Sequence, residues 1–427
     1  MQVSYYCMYD PDPPPISHHD APVLATSCSL PTVTPQQSKA TSASVTTLPS
    51  GLTIVSESAS TTSTVTLTFP KAGSASEMLD ETGAALFNKC MAFKSGSGVS
   101  TLMINRAIED GGGAPFCSVD RNGAVLGYTV IPDKATGLLA FLGTDCSFEK
   151  WDIRDAKAVA QVEIETANAS AQVVLTEGLF AAAYGPQSAA GRPFFTGDAP
   201  SMDAAMAFRA RGYGLNGAVL TATGVTDHSA FCQAAADLLS GSPVGSSAAA
   251  VAPIYIGGES RVAALSSGYA HVALAFEAPA SSALVGTIKQ LFTVLGSGSG
   301  VAGFSTKGLV GVYAGGDAPG GLVDSICSAL TATMSPDVIK RAKSMAKAEA
   351  LFALDGGSKT LADFMTATVL ESGSFTSPVD VAKAYDAVTE AQIKSALAAM
   401  LKSTPCMAAV GDISAVPYHA TVAARLS

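Results

Sequence analysis

The sequence predicts an α+β protein made of two similar domains in tandem, each a mainly antiparallel sheet packed with helices. Three observations carry this. Strand-type and helix-type stretches alternate along most of the chain. A Gly/Ser/Ala-rich linker over 241–253 divides it. Beyond the linker the order of elements recurs. Ala270–Pro279 parallels Thr64–Pro70, and Met407–Asp412 parallels Leu220–Val225. Phe304–Ala314 followed by Asp317 parallels Val125–Ile131 followed by Pro132, and Pro336–Leu354 takes the place of Phe148–Tyr184.

Residues 1–44 form a Pro/Ser/Thr-rich extension, in which Pro11, Pro13, Pro14, Pro15, Pro31 and Pro35 oppose regular structure. No Lys or Arg precedes Lys39, so this stretch is not an Arg-rich amphipathic presequence. Two readings stay open for it, a disordered extension and an arm laid across a partner. The first domain spans 45–240. It opens with two strand pieces around Pro49-Ser50-Gly51. Thr64–Phe69 alternates, with Val65, Leu67 and Phe69 on one face and Thr64, Thr66 and Thr68 on the other. A helical stripe of Leu79, Leu86, Cys90 and Phe93 follows, then a helix over 100–110 ending at Gly111-Gly112-Gly113. Asn122-Gly123 marks a hairpin between Phe116–Val119 and Val125–Ile131. One long helix is expected over Phe148–Tyr184, stopped by Gly185-Pro186. A helix over 201–211, a strand over 217–224 and a helix over 227–239 complete the half. The second domain spans 254–427.

Composition narrows the function. The chain has 427 residues, 48% hydrophobic and 14% charged, enough for more than one packed core. Asp and Glu number 35 against 25 Lys and Arg, a net charge of −10. Nucleic acid wants a basic face and an anionic membrane a polybasic patch, so both are poor partners. Apolar runs such as Ala248–Ile256 are far too short to span a bilayer. The eight Cys, at 7, 28, 90, 117, 146, 232, 327 and 406, form no Cys-x-x-Cys and read as buried thiols in a reducing compartment. The five His include no i, i+4 pair, and His18-His19 lies in the Pro-rich extension.

Thr82–Gly96 has the shape of a zinc-peptidase helix with its zinc chemistry removed. An inverted zinc motif needs His-x-x-Glu-His on one helix, with two imidazoles for the metal and a carboxylate for the water proton. Anchoring on Met91–Lys94 puts Leu86, Lys89 and Cys90 at those three positions. One apolar side chain, one cation and one thiol stand where two ligands and a base are needed.

These features are joined by Leu48-Pro49-Ser50-Gly51, Lys71-Ala72-Gly73-Ser74, Ile108–Gly113, Phe148–Ile153, Tyr255–Arg261 and Ser335–Val338. In that order the chain resembles the pitrilysin-type peptidase family from about residue 45 to 427, within it the core subunits of the mitochondrial ubiquinol–cytochrome c reductase (complex III). The resemblance implies two pitrilysin/processing-peptidase-like domains facing each other in a bowl. It implies pairing with core protein 1, a β-type peptidase-like subunit, on the matrix side of the inner membrane. Cytochrome b, cytochrome c1 and the Rieske protein would be further partners in a dimeric complex, and would hold the redox centres. It also places the third zinc ligand of active relatives near Glu163 and Glu165. Relatives carry a longer segment after the Gly-rich stretch Leu295–Gly300; here a strand starts almost at once, about Phe304, which argues against presequence capture by that loop.

No residue is therefore assigned to catalysis, cofactor binding or metal binding. Leu86 and Cys90 read as a core stripe, Glu163 and Glu165 as salt-bridge or surface residues, Lys89 as a solvated cation, and His271 as a hydrogen-bonded strand histidine. Gly111–Gly113 lacks a following Lys-Ser/Thr and reads as a helix C-cap. The first reading is a non-catalytic structural subunit of complex III. The second is the presequence-binding partner in a mitochondrial processing peptidase. An active metallopeptidase is disfavoured.

Overall fold

Two sheets organise the chain, seen in a computed structural model that describes residues 42–96, 98–142, 146–196, 199–245, 253–264 and 268–426. The extension over 1–41, with His18 and His19, and the middle of the linker lie outside the described residues. In the first half β1 (Ser44–Thr47), β2 (Thr53–Ser56) and β3 (Ser63–Phe69) lead to α1 (Ala84–Cys90) and α2 (Thr101–Asp110). Then come β4 (Ala114–Val119), β5 (Ala124–Val130), α3 (Pro132–Ala135), α4 (Lys150–Ala169), α5 (Ala171–Tyr184), α6 (Met202–Gly212), β6 (Val219–Ala222) and α7 (His228–Leu238). The second half runs β7 (Gly258–Ala263), β8 (Ala270–Glu277), α8 (Ser282–Gly296), β9 (Val301–Thr306), β10 (Leu309–Gly316), α9 (Pro319–Thr331) and α10 (Pro336–Phe352). It closes with α11 (Ser358–Ser372), α12 (Pro378–Ala387), α13 (Glu390–Lys402), β11 (Cys406–Gly411) and α14 (His419–Leu426).

The sheet orders are β1-β2-β6-β3-β5-β4 and β7-β11-β8-β10-β9. Setting β1 aside, they correspond strand for strand in order and direction. Each has one parallel pair, β2 with β6 and β7 with β11, and is otherwise antiparallel. The internal repeat in the sequence is thus a repeat of topology. Each half packs its own helices on one sheet face. Ile54, Leu67, Leu126 and Tyr128 meet Ile104, Ile108 and Phe231 in the first half. Leu274, Val310 and Val312 meet Ile288, Leu291, Ile326 and Leu397 in the second.

The opposite faces are covered by exchange. Helix α5 leaves the first half and lays Leu175, Leu179, Phe180, Ala183 and Tyr184 on Ala273, Ala275, Leu309, Ala408 and Val410 of the second sheet. Helix α11 returns from the second half to put Met365 and Val369 on Val55 and Val219 of the first. Arg121 ties the β4–β5 turn to α5, with its guanidinium 3.9 Å from the Phe180 ring centroid and 2.7 Å from the Glu177 carboxylate. The two central hairpin tips join through Lys307 and Asp120 at 2.6 Å.

Several expectations are corrected. The stretch 148–184 is two helices, because Ser170 leaves helical geometry with ψ 112°. That break lets α5 cross to the other sheet. Phe304–Ala314 is not one strand but parts of the hairpin β9–β10, reversed at Lys307-Gly308, where Gly308 has φ 82°. Both faces of the alternating strand β3 are buried, Thr64, Thr66 and Thr68 lying beneath α11. Leu79 does not join the α1 stripe and is exposed, since Gly83 at φ 86° starts α1 only at Ala84.

Truncating Phe180 tests the exchange. Phe180→Ala is expected to cost about 3–5 kcal/mol in urea unfolding, as for a large aromatic removed from a packed interior. A loss below about 1 kcal/mol would mean α5 does not hold the halves together.

Candidate functional site on the α1 helix

Helix α1 is short, seven residues, and its N-terminus is fixed by a buried acid. The Glu77 carboxylate accepts from the backbone N–H of Gly83 at 3.2 Å and of Ala85 at 2.7 Å. This satisfies orphan donors at the start of the helix. Burial pushes Glu77 up to about 7, against those backbone bonds and the nearby Arg192 charge; Glu81 adds to the rise. Arg192 donates from its guanidinium to the carbonyls of Glu77 and Met78. Burial works against the ionised form of Glu81, but the two-pronged Arg211 guanidinium outweighs it and holds the carboxyl below its usual range. Asn88 anchors the other side of α1, its amide donating to Ala84 and to Ala205 on α6.

The three positions of the zinc motif now have surroundings. Leu86 is 2% exposed and packs with Ile164 of α4 and Phe194. Lys89 is not a free solvated cation: its ammonium lies 2.9 and 2.7 Å from the two carboxylate oxygens of Glu163 on α4. Burial first, and the Glu163 charge second, push the Cys90 thiol up to about 12. Burial likewise raises the Cys117 thiol, which donates to the Lys89 carbonyl at 3.6 Å. Both sulfurs stay protonated at neutral pH, whereas zinc takes a thiolate.

The inverted motif implies a zinc ion, and the side chains do not fit one. An aliphatic group, an ammonium and a protonated thiol offer no ligand pair. Glu163 is already neutralised by Lys89, so an internal cation does for this carboxylate what the metal would do in a peptidase. Glu165 is turned away and accepts from Gln161 at 2.8 Å. Among the described residues no cluster of three or more His, Cys, Asp or Glu could hold a metal ion.

The other singled-out residues are structural. His271 is hydrogen-bonded at Nδ1 with the Tyr313 hydroxyl at 2.7 Å and lies against the Tyr269 and Tyr313 rings. Gly111 caps α2 and Gly112 continues with φ 77°. The loop after α8 is the short turn 297–300 before Val301. Sequence reasoning missed Glu77, Glu81, Arg192 and Arg211. The signal available was the Glu77/Glu81 pair just ahead of Gly83, acid where a helix start favours it. It also passed over His228, whose ring meets Ser56, Thr46 and Cys232 at 2.7, 2.9 and 3.4 Å. The i, i+4 spacing of His228 and Cys232 was the visible hint.

With this geometry in place the likenesses are specific. Residues 53–194 match the insulinase (peptidase family M16) family. The mitochondrial-processing peptidase subunit alpha of Solanum tuberosum is 26% identical over 432 aligned residues, covering 89% of this chain and 84% of the relative. Subunit alpha-2 of the same peptidase from Dictyostelium discoideum is 24% identical over 401, covering 83% and 88%. Among solved structures, a chain of complex III2 from Candida albicans, solved with Inz-5 bound, superimposes with a TM-score of 0.74 at 17% identity. That overlap takes in 90% of this chain and 99% of the other. The chain has an M16 peptidase-like fold. Within that class it shares its two-sheet fold with the complex III2 chain and its aligned sequence with processing-peptidase alpha subunits.

Two measurements follow from the α1 geometry. Glu77 keeps its proton to about pH 7 when folded but only to 4.5 when unfolded. Its contribution is therefore full below the lower value and is lost as pH rises through the upper one. Melting temperature should fall between about pH 5 and about pH 8, and Glu77→Gln should flatten that fall; an unchanged slope would refute the assignment. Separately, a Leu86→His/Lys89→Glu/Cys90→His variant should bind about one zinc per chain by metal analysis, with Glu163 as third ligand, while the parent binds far less. Equal metal content in both would show that α1 and α4 no longer hold ligand geometry.

Proposed function

We propose that this chain is a structural, non-catalytic core subunit of the mitochondrial ubiquinol–cytochrome c reductase, of the core protein 2 type. The observation that carries this reading is the likeness over nearly the whole length to a complex III2 chain, combined with an α1 helix whose ligand positions are Leu86, Lys89 and Cys90. A protein that keeps the packing of a peptidase and lacks its metal ligands is suited to shaping an assembly. No described helix is long and apolar enough to cross a membrane. In this reading the chain sits peripherally on the matrix side of the inner membrane and pairs with core protein 1. Cytochrome b, cytochrome c1 and the Rieske protein carry the redox centres, and this chain holds no metal or cofactor of its own.

The aligned relatives favour a second reading, the presequence-binding non-catalytic subunit of a mitochondrial processing peptidase, alone or alongside the first role. The net charge of −10 suits basic presequences. The short turn after α8 weighs against it.

Co-purification separates the two. A tagged chain should bring haem-containing subunits with it on native gels, at the size of the assembled complex. Recovery with a peptidase subunit and no haem protein, together with saturable binding of an Arg-rich presequence peptide, would replace the first reading by the second.

A further inference from the structure

The two exchanged helices are not equivalent in what they bury. Under α5 the second sheet offers an apolar face, and the helix answers with Leu175, Leu179, Phe180 and Tyr184. Under α11 the first sheet offers hydroxyls. Thr64 Oγ1 meets Ser358 Oγ at 2.8 Å and Thr221 Oγ1 meets Thr366 Oγ1 at 2.7 Å. The Thr66 and Thr68 hydroxyls are buried with no hydrogen-bond partner. A buried hydroxyl without a partner opposes docking, because it lost its water and gained nothing. The large apolar side chains of α11 in this contact are Met365, Val369 and the half-buried Leu361.

Helix α11 has a positive-φ glycine at both ends, α5 only at its C-terminal end, Gly185. Gly357 precedes α11 with φ 107° and Gly373 follows with φ 71°, so both junctions are single residues able to absorb a backbone rotation. Burial pushes Asp363 on this helix up to about 6, with Lys359 opposing. That carboxyl would regain water if the helix lifted. The α5 side is bolted by Arg121 to Glu177 and by Lys307 to Asp120, where α11 has Lys359 over the Phe116 ring at 4.2 Å.

We propose that α11 is a strap: it lifts from the hydroxyl face of the first sheet, about Gly357 and Gly373, while α5 keeps the two halves joined. The lifted state uncovers Thr64, Thr66, Thr68 and Thr221 together with Val55 and Val219, a more polar face than the one under α5. The exchange is thus one permanent clasp and one that opens.

Native-state hydrogen exchange on the full chain, read by mass spectrometry, tests this. Peptides from α11 should exchange about 100-fold faster than those from α5, with the β3 amides remaining protected by their sheet partners. Protection of α11 equal to that of α5 overturns the proposal. A Thr66→Val/Thr68→Val variant removes the two orphan hydroxyls at nearly constant volume. It should slow α11 exchange by about tenfold and leave α5 unchanged. If α11 exchange does not slow, or α5 shifts by the same factor, the hydroxyl face is not what loosens the strap.

Discussion

Everything in this molecule depends on a sheet having two faces. A half of about two hundred residues covers one face of its sheet with its own helices and leaves the other bare. In the second sheet that bare face is Ala273, Ala275, Leu309, Ala408 and Val410, a surface that cannot be left to water. Helix α5 covers it only by leaving the half in which it begins. The break at Ser170, the Arg121 stack on Phe180 and the joined hairpin tips all serve that crossing. Neither half is complete by itself, so the two-domain arrangement is a consequence of covering sheets rather than of a linker holding two finished units.

The same logic explains how α1 is held against α4. Here the attraction is supplied by Lys89 on Glu163, and the remaining contact by Leu86 on Ile164 and Phe194. The ion pair is partly exposed and contributes at most about 1 kcal/mol. Apolar packing and the Glu77 cap therefore carry most of the position of α1.

Much of the architecture was legible. Period-two runs such as Thr64–Phe69, the Asn122-Gly123 turn and the recurring order of elements are local signals, and they led to the right strands. What was not legible arises from contacts between distant residues. Nothing near Thr64, Thr66 and Thr68 announces that Ser358 and Thr366, hundreds of positions later, will cover them. Alternation alone reads as a half-wet strand. Ser170 is an ordinary residue in a helical pattern, and only the position of the second sheet gives its break a reason. At the site the side-chain types at Leu86, Lys89 and Cys90 were readable. The Lys89–Glu163 pair was not, because it joins two helices that sequence spacing does not relate.

The two crossings also show how a repeat diverges. Topology kept the sheets alike strand for strand, yet the faces under the exchanged helices moved apart in chemistry. Alanine and leucine under α5 make a contact whose strength is non-directional and proportional to area. Threonine under α11 makes a contact whose strength depends on each hydroxyl finding a partner, and two do not. An apolar face fixes a helix against every small displacement. A hydroxyl face holds it only in register, and once that register is lost water replaces the partners at little cost. Rigidity on one side and release on the other therefore follow from side-chain type, within a backbone that is nearly symmetric.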